Sequence, residues 1–361
     1  MNNTFGNNVK VTLFGESHGK YIGAVVDGLP AGIPVDEADV AAALAARRPS
    51  GDISTSRREA DDFIVASGVF NGCTCGSPLC ILIPNADTNS ADYTLGAARP
   101  GHADFTSHVR NAGFEDYRGG GHFSGRITAA LVAAGAAVIS ALEAKGIFIG
   151  THIASVGAVS DRAFTDAENE IKKLKNDPFP VLDKDAGERM RTQIDLAKAD
   201  GDSVGGVLET AVCGIPAGVG DPWFDTVEGV ISHAVFSIPA VKGIEFGAGF
   251  ALSGMRGSAA NDPFETKGGK IVTATGNCGG VLGGLTTGGG VVFRTAIKPT
   301  PTIFKKQRTV DLESGEETVT EQKGRHDPCI VHRAASVVSA VTSFAVADML
   351  AKVFGEEYLR P

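Results

Sequence analysis

The sequence predicts an α+β fold made of two fused copies of one unit, and three repeated features in matched order carry that expectation. "GLPAGI" at 28–33 returns as "GIPAGV" at 214–219. "GVFNGCTCG" at 68–76 returns as "GVLGGLTTG" at 280–288, identical at five of nine positions. Each half then closes on a long alanine-rich segment, about 127–145 and 333–353. One glycine-rich turn repeats by chance, whereas three elements in one order mark an internal repeat. The copies run over about 9–150 and 200–355, related by a pseudo-twofold within a single domain covering 1–361.

The elements follow in order. "NVKVTLF" suits a strand, and "KYIGAVVDG", β-branched and interrupted by Gly23, suits a second. The "GESHG" between them fits the nucleophile-elbow pattern, but an elbow needs a strand before its serine and a helix after it. Fourteen preceding residues also leave no room for the earlier strands and oxyanion loop of an α/β-hydrolase. The stretch therefore reads as a turn between strands. "DEADVAAALAARR" (36–48) and "DTVEGVISHAVFS" (225–237) read as helices after the repeated turns. The GV-x-x-G-x-T-x-G copies read as hairpins, since glycine supplies positive φ at tight turns. "SPLCILIPN" and "GGVVFRTAIKP" are apolar strands, and the closing helices are apolar on more than one face, as core helices are. Residues 160–200 carry charges at helical spacing and read as a polar insertion, and 303–324 as a charged loop or exposed hairpin.

Composition narrows the function. Forty-two acidic against thirty-three basic residues give a net charge of −9, the opposite of a general nucleic-acid binder. The N-terminus lacks a basic region followed by an apolar stretch, and no apolar run is expected to reach the roughly 18–20 residues that span a bilayer. Cysteines at 73, 75, 80, 213, 278 and 329 are too sparse for a disulfide framework, so buried thiols in a reducing cytoplasm are expected. No H-E-x-x-H or H-x-H spacing supports a metal.

Five segments concentrate residues that a packed core would not choose: "FGESHG" (14–19), "ARRPSGDISTSRRE" (46–59), "RPGHADF" (99–105), "YRGGGHFSGR" (117–126) and "KGRHDPCIVHRA" (323–334). Arg47, Arg48, Arg57, Arg58, Arg99, Arg118, Arg126, Arg325 and Arg333 sit in or beside their glycine- and proline-rich turns. A guanidinium fork matches carboxylate or phosphate and stays charged when desolvated, so the cluster points to a polyanionic ligand. Ser124 is a natural helix N-cap, and the three glycines before it would let a ligand approach backbone N–H groups at the positive helix end. His18, His102, His122 and His326 are candidates for proton transfer near neutral pH. Asp327, two residues from Arg325, is either a local ion-pair partner or a base in a water-excluding pocket.

Together, "FGESHG", "RPGHAD", "DYRGGG", "VKGIEFGAGF" (241–250), "GGLTTG" and "KGRHDPC" closely resemble the chorismate synthase family in order and spacing over nearly the whole chain. The resemblance implies a helical core between two antiparallel sheets, usually as a homotetramer. It implies a carbon–oxygen lyase that removes phosphate from 5-enolpyruvylshikimate 3-phosphate and a proton from its C6, a 1,4-anti elimination without net redox change. The cofactor implied is reduced FMN, supplied by an external flavin reductase. By motif, His18 with Ser17 beside it would face the flavin, His102 would protonate the departing phosphate, and Asp327 would act in removing the C6 hydrogen. Ser124 joins the catalytic set. Arg47, Arg57, Arg99, Arg126 and Arg325 would grip the substrate. His122, Phe123, Ser124, Gly283, Lys298, Pro299, Thr300, Pro301, Thr302 and Arg325 would surround the FMN.

Three departures stand out. Many members read "GGGRSSARET" where this chain has "GGGHFSGRIT", which puts His122 and Phe123 in place of arginine and serine. A second family arginine, six positions after the one matching Arg47, is Ile53 here. Asn/Gln-Ala-Val-Lys becomes "PAVK", with Pro239 first. Two other readings stay open: a flavin- or polyanion-binding homologue without catalysis, and a bifunctional form that also reduces FMN with NADPH. No extra nucleotide motif appears, which favours the monofunctional form.

Overall fold

The computed structural model describes residues 2–49, 51, 53–54, 61–86, 96–321 and 326–361. In the first half β1 (Lys10–Gly15) and β2 (Tyr21–Asp27) are joined through "ESHGK", which confirms a strand–turn–strand rather than an elbow. Helix α1 (Glu37–Arg47) follows, started by the Asp36 carboxylate accepting the Ala38 N–H, and then β3 (Ile64–Ser67) and β4 (Leu79–Pro84). Helix α2 (Thr128–Ala144) closes this half. The second half contributes β5 (Phe148–Val156), β6 (Gly206–Cys213), α3 (Val227–Phe236), β7 (Val241–Phe246), β8 (Val291–Ile297) and α4 (Val331–Phe354).

Both sheets are antiparallel, with spatial orders β1-β2-β4-β3 and β5-β6-β8-β7. Position for position the two orders are the same. Short edge strands, Thr4–Phe5 and Val159–Ser160, extend them beside β1 and β5. Helix α2 packs on β2 and β4 and reaches β5, while α4 packs on β5 and β6 and touches β1, so the helices fill the space between the sheets. The two helices approach closely: a Cβ at Gly135 would lie 2.5 Å from the Ala340 Cβ.

The repeated turns are tied identically. Thr74 Oγ1 donates to the Pro30 carbonyl at 2.6 Å and accepts the Ile33 N–H at 2.9 Å. Thr286 Oγ1 donates to Pro216 at 2.6 Å and accepts from Val219 at 3.0 Å. Each threonine stands in its GV-x-x-G-x-T-x-G hairpin, and both hairpins form.

The charged segment after β8 is also a hairpin, Gln307–Val310 with Glu317–Thr320. The insertion folds as helices Ala167–Leu174 and Lys184–Ala199. Two expectations need correction. The six thiols are free, but only Cys329 is buried and Cys75 is exposed. The segments Gly125–Ala144 and Val331–Phe354 are long and apolar enough to cross a membrane, yet 78% of each apolar window is buried inside the protein. They are all-round apolar because protein surrounds them on every side.

Candidate active site

"RGGGHF" forms a tight turn in which Gly119, Gly120 and Gly121 all take positive φ (59°, 87° and 53°). A Cβ at Gly119 would lie 2.3 Å from His18 Cε1, one at Gly120 2.8 Å from His102 Cε1, and one at Gly121 2.1 Å from the Asp116 carbonyl oxygen. The triplet thus admits two histidines and a backbone crossing, where the sequence alone suggested room for a ligand. Ser124 caps as expected, accepting the Arg126 N–H at 3.3 Å where the chain turns into α2. Ser17 Oγ donates to the Arg118 carbonyl at 3.1 Å and lies 3.2 Å from His18 Nδ1. With its only proton committed to Arg118, the Ser17 hydroxyl accepts from His18 Nδ1–H.

"RPGH" is a turn with Pro100 and Gly101 (φ 72°) at its centre, closed by His102 N–H donating to the Arg99 carbonyl at 3.1 Å. Helix Asp104–Asn111 starts directly after it. The turn is braced from the other half: Lys298 Nζ donates to the Gly101 carbonyl, and Ala98 N–H donates to Val310 of the hairpin at 3.1 Å. Burial, aided by the Lys242 charge, pulls the Lys298 ammonium below its ordinary value.

Arg47 and Arg126 are both buried against Asp61, whose carboxylate has no exposure. Arg47 also donates to Thr128 Oγ1 at 3.0 Å and the Gly125 carbonyl at 2.9 Å. Arg126 donates to Asn85 Oδ1 at 3.1 Å and the Pro84 carbonyl at 3.2 Å. Asp61 was not singled out from the sequence, because nothing in "EADDF" shows that it will sit between two distant arginines. Asp327 pairs with Arg333, one turn into α4, while Arg333 Nε donates to the Arg47 carbonyl at 3.0 Å.

These groups converge on a cavity of about 750 Å³. Arg47, Arg99, Arg126, Lys242, Lys298 and Arg333 line it, with His102, His122, His233 and His326, against one carboxylate, Asp327, among the described residues. Phe123, Ser124, Thr300, Pro301 and Thr302 line it too, and Val11, Leu13, Val337, Val341 and Phe344 form an apolar wall. Ser17 and His18 stand behind Gly119, which itself lines the cavity. Pro299 packs instead against Gly205, and Gly283 (φ 63°) occupies an exposed hairpin turn. Arg57 and Arg325 lie outside the described residues. Of the departures, Ile53 is buried in the core, Pro239 lines the cavity, and His122 Nδ1 donates to the Gly15 carbonyl at 2.7 Å with Nε2 3.3 Å from Asn3 Oδ1. Lys242 and Asn3 were missed as site residues; the lysine of "PAVK" was the available signal.

A helix layer between two sheets of one topology holds a cationic, histidine-lined cavity with the charge to take an anionic small molecule. A family model described as chorismate synthase matches residues 9–351. Similar proteins named chorismate synthase include one from Methanocella arvoryzae, 46% identical over 96% of this chain and 94% of its own length. Another, from Thermococcus gammatolerans, is 46% identical over 96% of each chain. A solved structure described as a chorismate synthase crystal structure superposes with a TM-score of 0.75 at 29% identity, covering 97% of this chain and 94% of that one. The chain belongs to the chorismate synthase family and is a lyase.

Proposed function

We propose that the chain eliminates phosphate from 5-enolpyruvylshikimate 3-phosphate, with loss of a C6 proton, to give chorismate, using reduced FMN. The observation that carries this is the cavity charge: among the described residues, six cationic side chains against Asp327, in a protein whose net charge is −9. The substrate bears one phosphate and two carboxylates, and the cofactor is a phosphate ester carrying a large ring system with both polar edges and aromatic faces. A cationic cavity with an apolar wall fits both. Reduced FMN would supply transient electron density as phosphate departs and regain it as the hydrogen leaves.

The chain's own groups do the rest. Arginine forks and Lys298 bind the anionic groups and fix their direction. In this reading His102 Nε2 holds the proton for the departing phosphate and the Asp327 carboxylate accepts one, supported by both residues lining the cavity. Val337, Val341 and Phe344 of α4 give one wall an apolar surface. Reduced flavin comes from a separate reductase in this reading, and the enzyme works as a homotetramer. Phe224 and Phe250, 96% and 85% exposed, mark apolar surface that assembly would cover.

The test is an anaerobic assay with chemically reduced FMN. Phosphate and chorismate are expected in equal amounts, only with the reduced cofactor. A folded preparation that binds reduced FMN and leaves the substrate intact would overturn the reading. Adding NADPH and oxidised FMN alone separates the monofunctional form, which stays silent, from the bifunctional one.

A further inference from the structure

The Asp104 carboxylate receives four donors. Oδ2 accepts Arg99 Nε–H at 2.8 Å and the Arg99 backbone N–H at 3.0 Å, and Oδ1 accepts Arg99 Nη2–H at 2.7 Å. His102 Nδ1 lies 2.7 Å from the same Oδ1 and 3.1 Å from Arg99 Nη2. These distances put a proton on Nδ1. Burial works to raise the Asp104 carboxyl, but hydrogen bonds from Arg99 and then His102 override it and hold it well below the usual carboxylate range. The group is therefore ionised, and an unprotonated Nδ1 would press its lone pair against an anionic oxygen. The proton must sit on Nδ1 and point at Asp104, so Arg99 Nη2 is a neighbour of that nitrogen and not its donor.

We propose that Asp104 is the positioning residue for His102: clamped by Arg99, it holds a proton on Nδ1 and so supports the ring when Nε2, turned to the cavity, carries a second. Nε2 then lies on the side of the glycine turn, where a Cβ at Gly120 would be 3.0 Å away. The charged groups around the ring are Asp104 and Arg99 from its own loop and Lys298 from the segment after β8, whose ammonium sits on the Gly101 carbonyl. The carboxylate leads the first turn of helix Asp104–Asn111, where the backbone dipoles favour its charge. A histidine that gives up a proton from Nε2 while Nδ1–H stays bonded does so as the imidazolium, and a carboxylate on Nδ1–H stabilises that doubly protonated ring.

The inference rests on the proposed role of His102, so its test includes a readout that does not. In Asp104→Asn the carboxamide no longer demands a proton on Nδ1. The ring nitrogens of His102, assigned in ¹⁵N spectra by comparison with His102→Gln, should shift from the Nδ1–H pattern toward the Nε2–H tautomer. Turnover should fall about 10–100-fold while KM changes less than about threefold. Asp104→Glu keeps the charge, so it should retain the Nδ1–H pattern and turn over at least about tenfold faster than the Asn variant. Unchanged nitrogen shifts in a folded Asn variant, or a Glu variant no better than Asn, would overturn the proposal. If the unaltered protein makes no chorismate, the reaction assigned above fails, and the ¹⁵N comparison still judges Asp104 alone.

Discussion

Alanine at Gly119 would place its Cβ 2.3 Å from His18 Cε1, and at Gly120 2.8 Å from His102 Cε1, each at a positive φ that L-residues resist. The backbone penalty is about 1–2 kcal/mol per position, which a protein of this size tolerates. The displaced imidazole is the larger effect, since a shift of about 1 Å at a reacting group lowers rate about 10²-fold. Gly119→Ala and Gly120→Ala should therefore fold with wild-type far-UV circular dichroism and each lose about 10²-fold in kcat. Near-normal kcat in either variant would show that its histidine has room to retreat. The sequence exposed this turn and its histidines, but not which side chain each glycine makes way for. Asp104 was hidden for a related reason. Two positions after His102 in "RPGHAD", it carries no mark in the string that its carboxylate folds back onto the ring, which depends on the turn Pro100 and Gly101 make.

At the level of elements, the pseudo-twofold rests on two threonine hydroxyls doing the same task 212 positions apart in sequence, as the paired numbering of Thr74 and Thr286 shows. Each bridges a proline carbonyl and a backbone N–H across the turn that leads into its half's first helix. Valine has the same shape without the hydroxyl and would strand both groups in a buried setting. Thr74→Val and Thr286→Val should each lose about 1–3 kcal/mol in urea unfolding, with similar values at the two sites. A loss at one site alone would show that the halves no longer share this tie. The duplication was legible because its signals are local: glycines and prolines at turns, and apolar runs for strands and helices. The ties were not, since Thr74 meets partners more than forty positions earlier. The hairpin Gln307–Val310/Glu317–Thr320 shows the same limit. Its charges read as exposed surface, yet it braces Ala98, just before the His102 turn.

Over the whole molecule, a buried histidine beside the cavity's charged groups makes stability depend on pH. Arg47, Arg126 and Arg333 announced a polyanion from the sequence, but their mutual support through Asp61 and Asp327 needed the assembled sandwich, in which β4, α1, α2 and α4 meet. His332, beside Arg333 on α4, went unremarked as one more apolar-helix histidine. It is 2% exposed, and its Nε2 lies 2.9 Å from Ser54 Oγ. Burial pulls its pKa down from 6.5 to about 4, with Arg333 and Arg191 adding to that and Asp327 opposing it. Below pH 6.5 the unfolded chain therefore takes up a proton that the folded chain refuses until about pH 4. Acid favours unfolding across that window, and the stability from a neutral His332 is lost as pH falls through it. Between pH 7.5 and 5 this one group should remove about 2 kcal/mol. His332→Gln keeps a hydrogen-bonding partner for Ser54 and cannot titrate, so its urea-unfolding free energy should fall by about 2 kcal/mol less over the same interval. Equal falls in the two proteins would mean that His332 is charged in the folded state or reaches water. The comparison isolates His332 because every other titrating group contributes to both proteins, and its neighbours Asp327 and Arg333 remain in place.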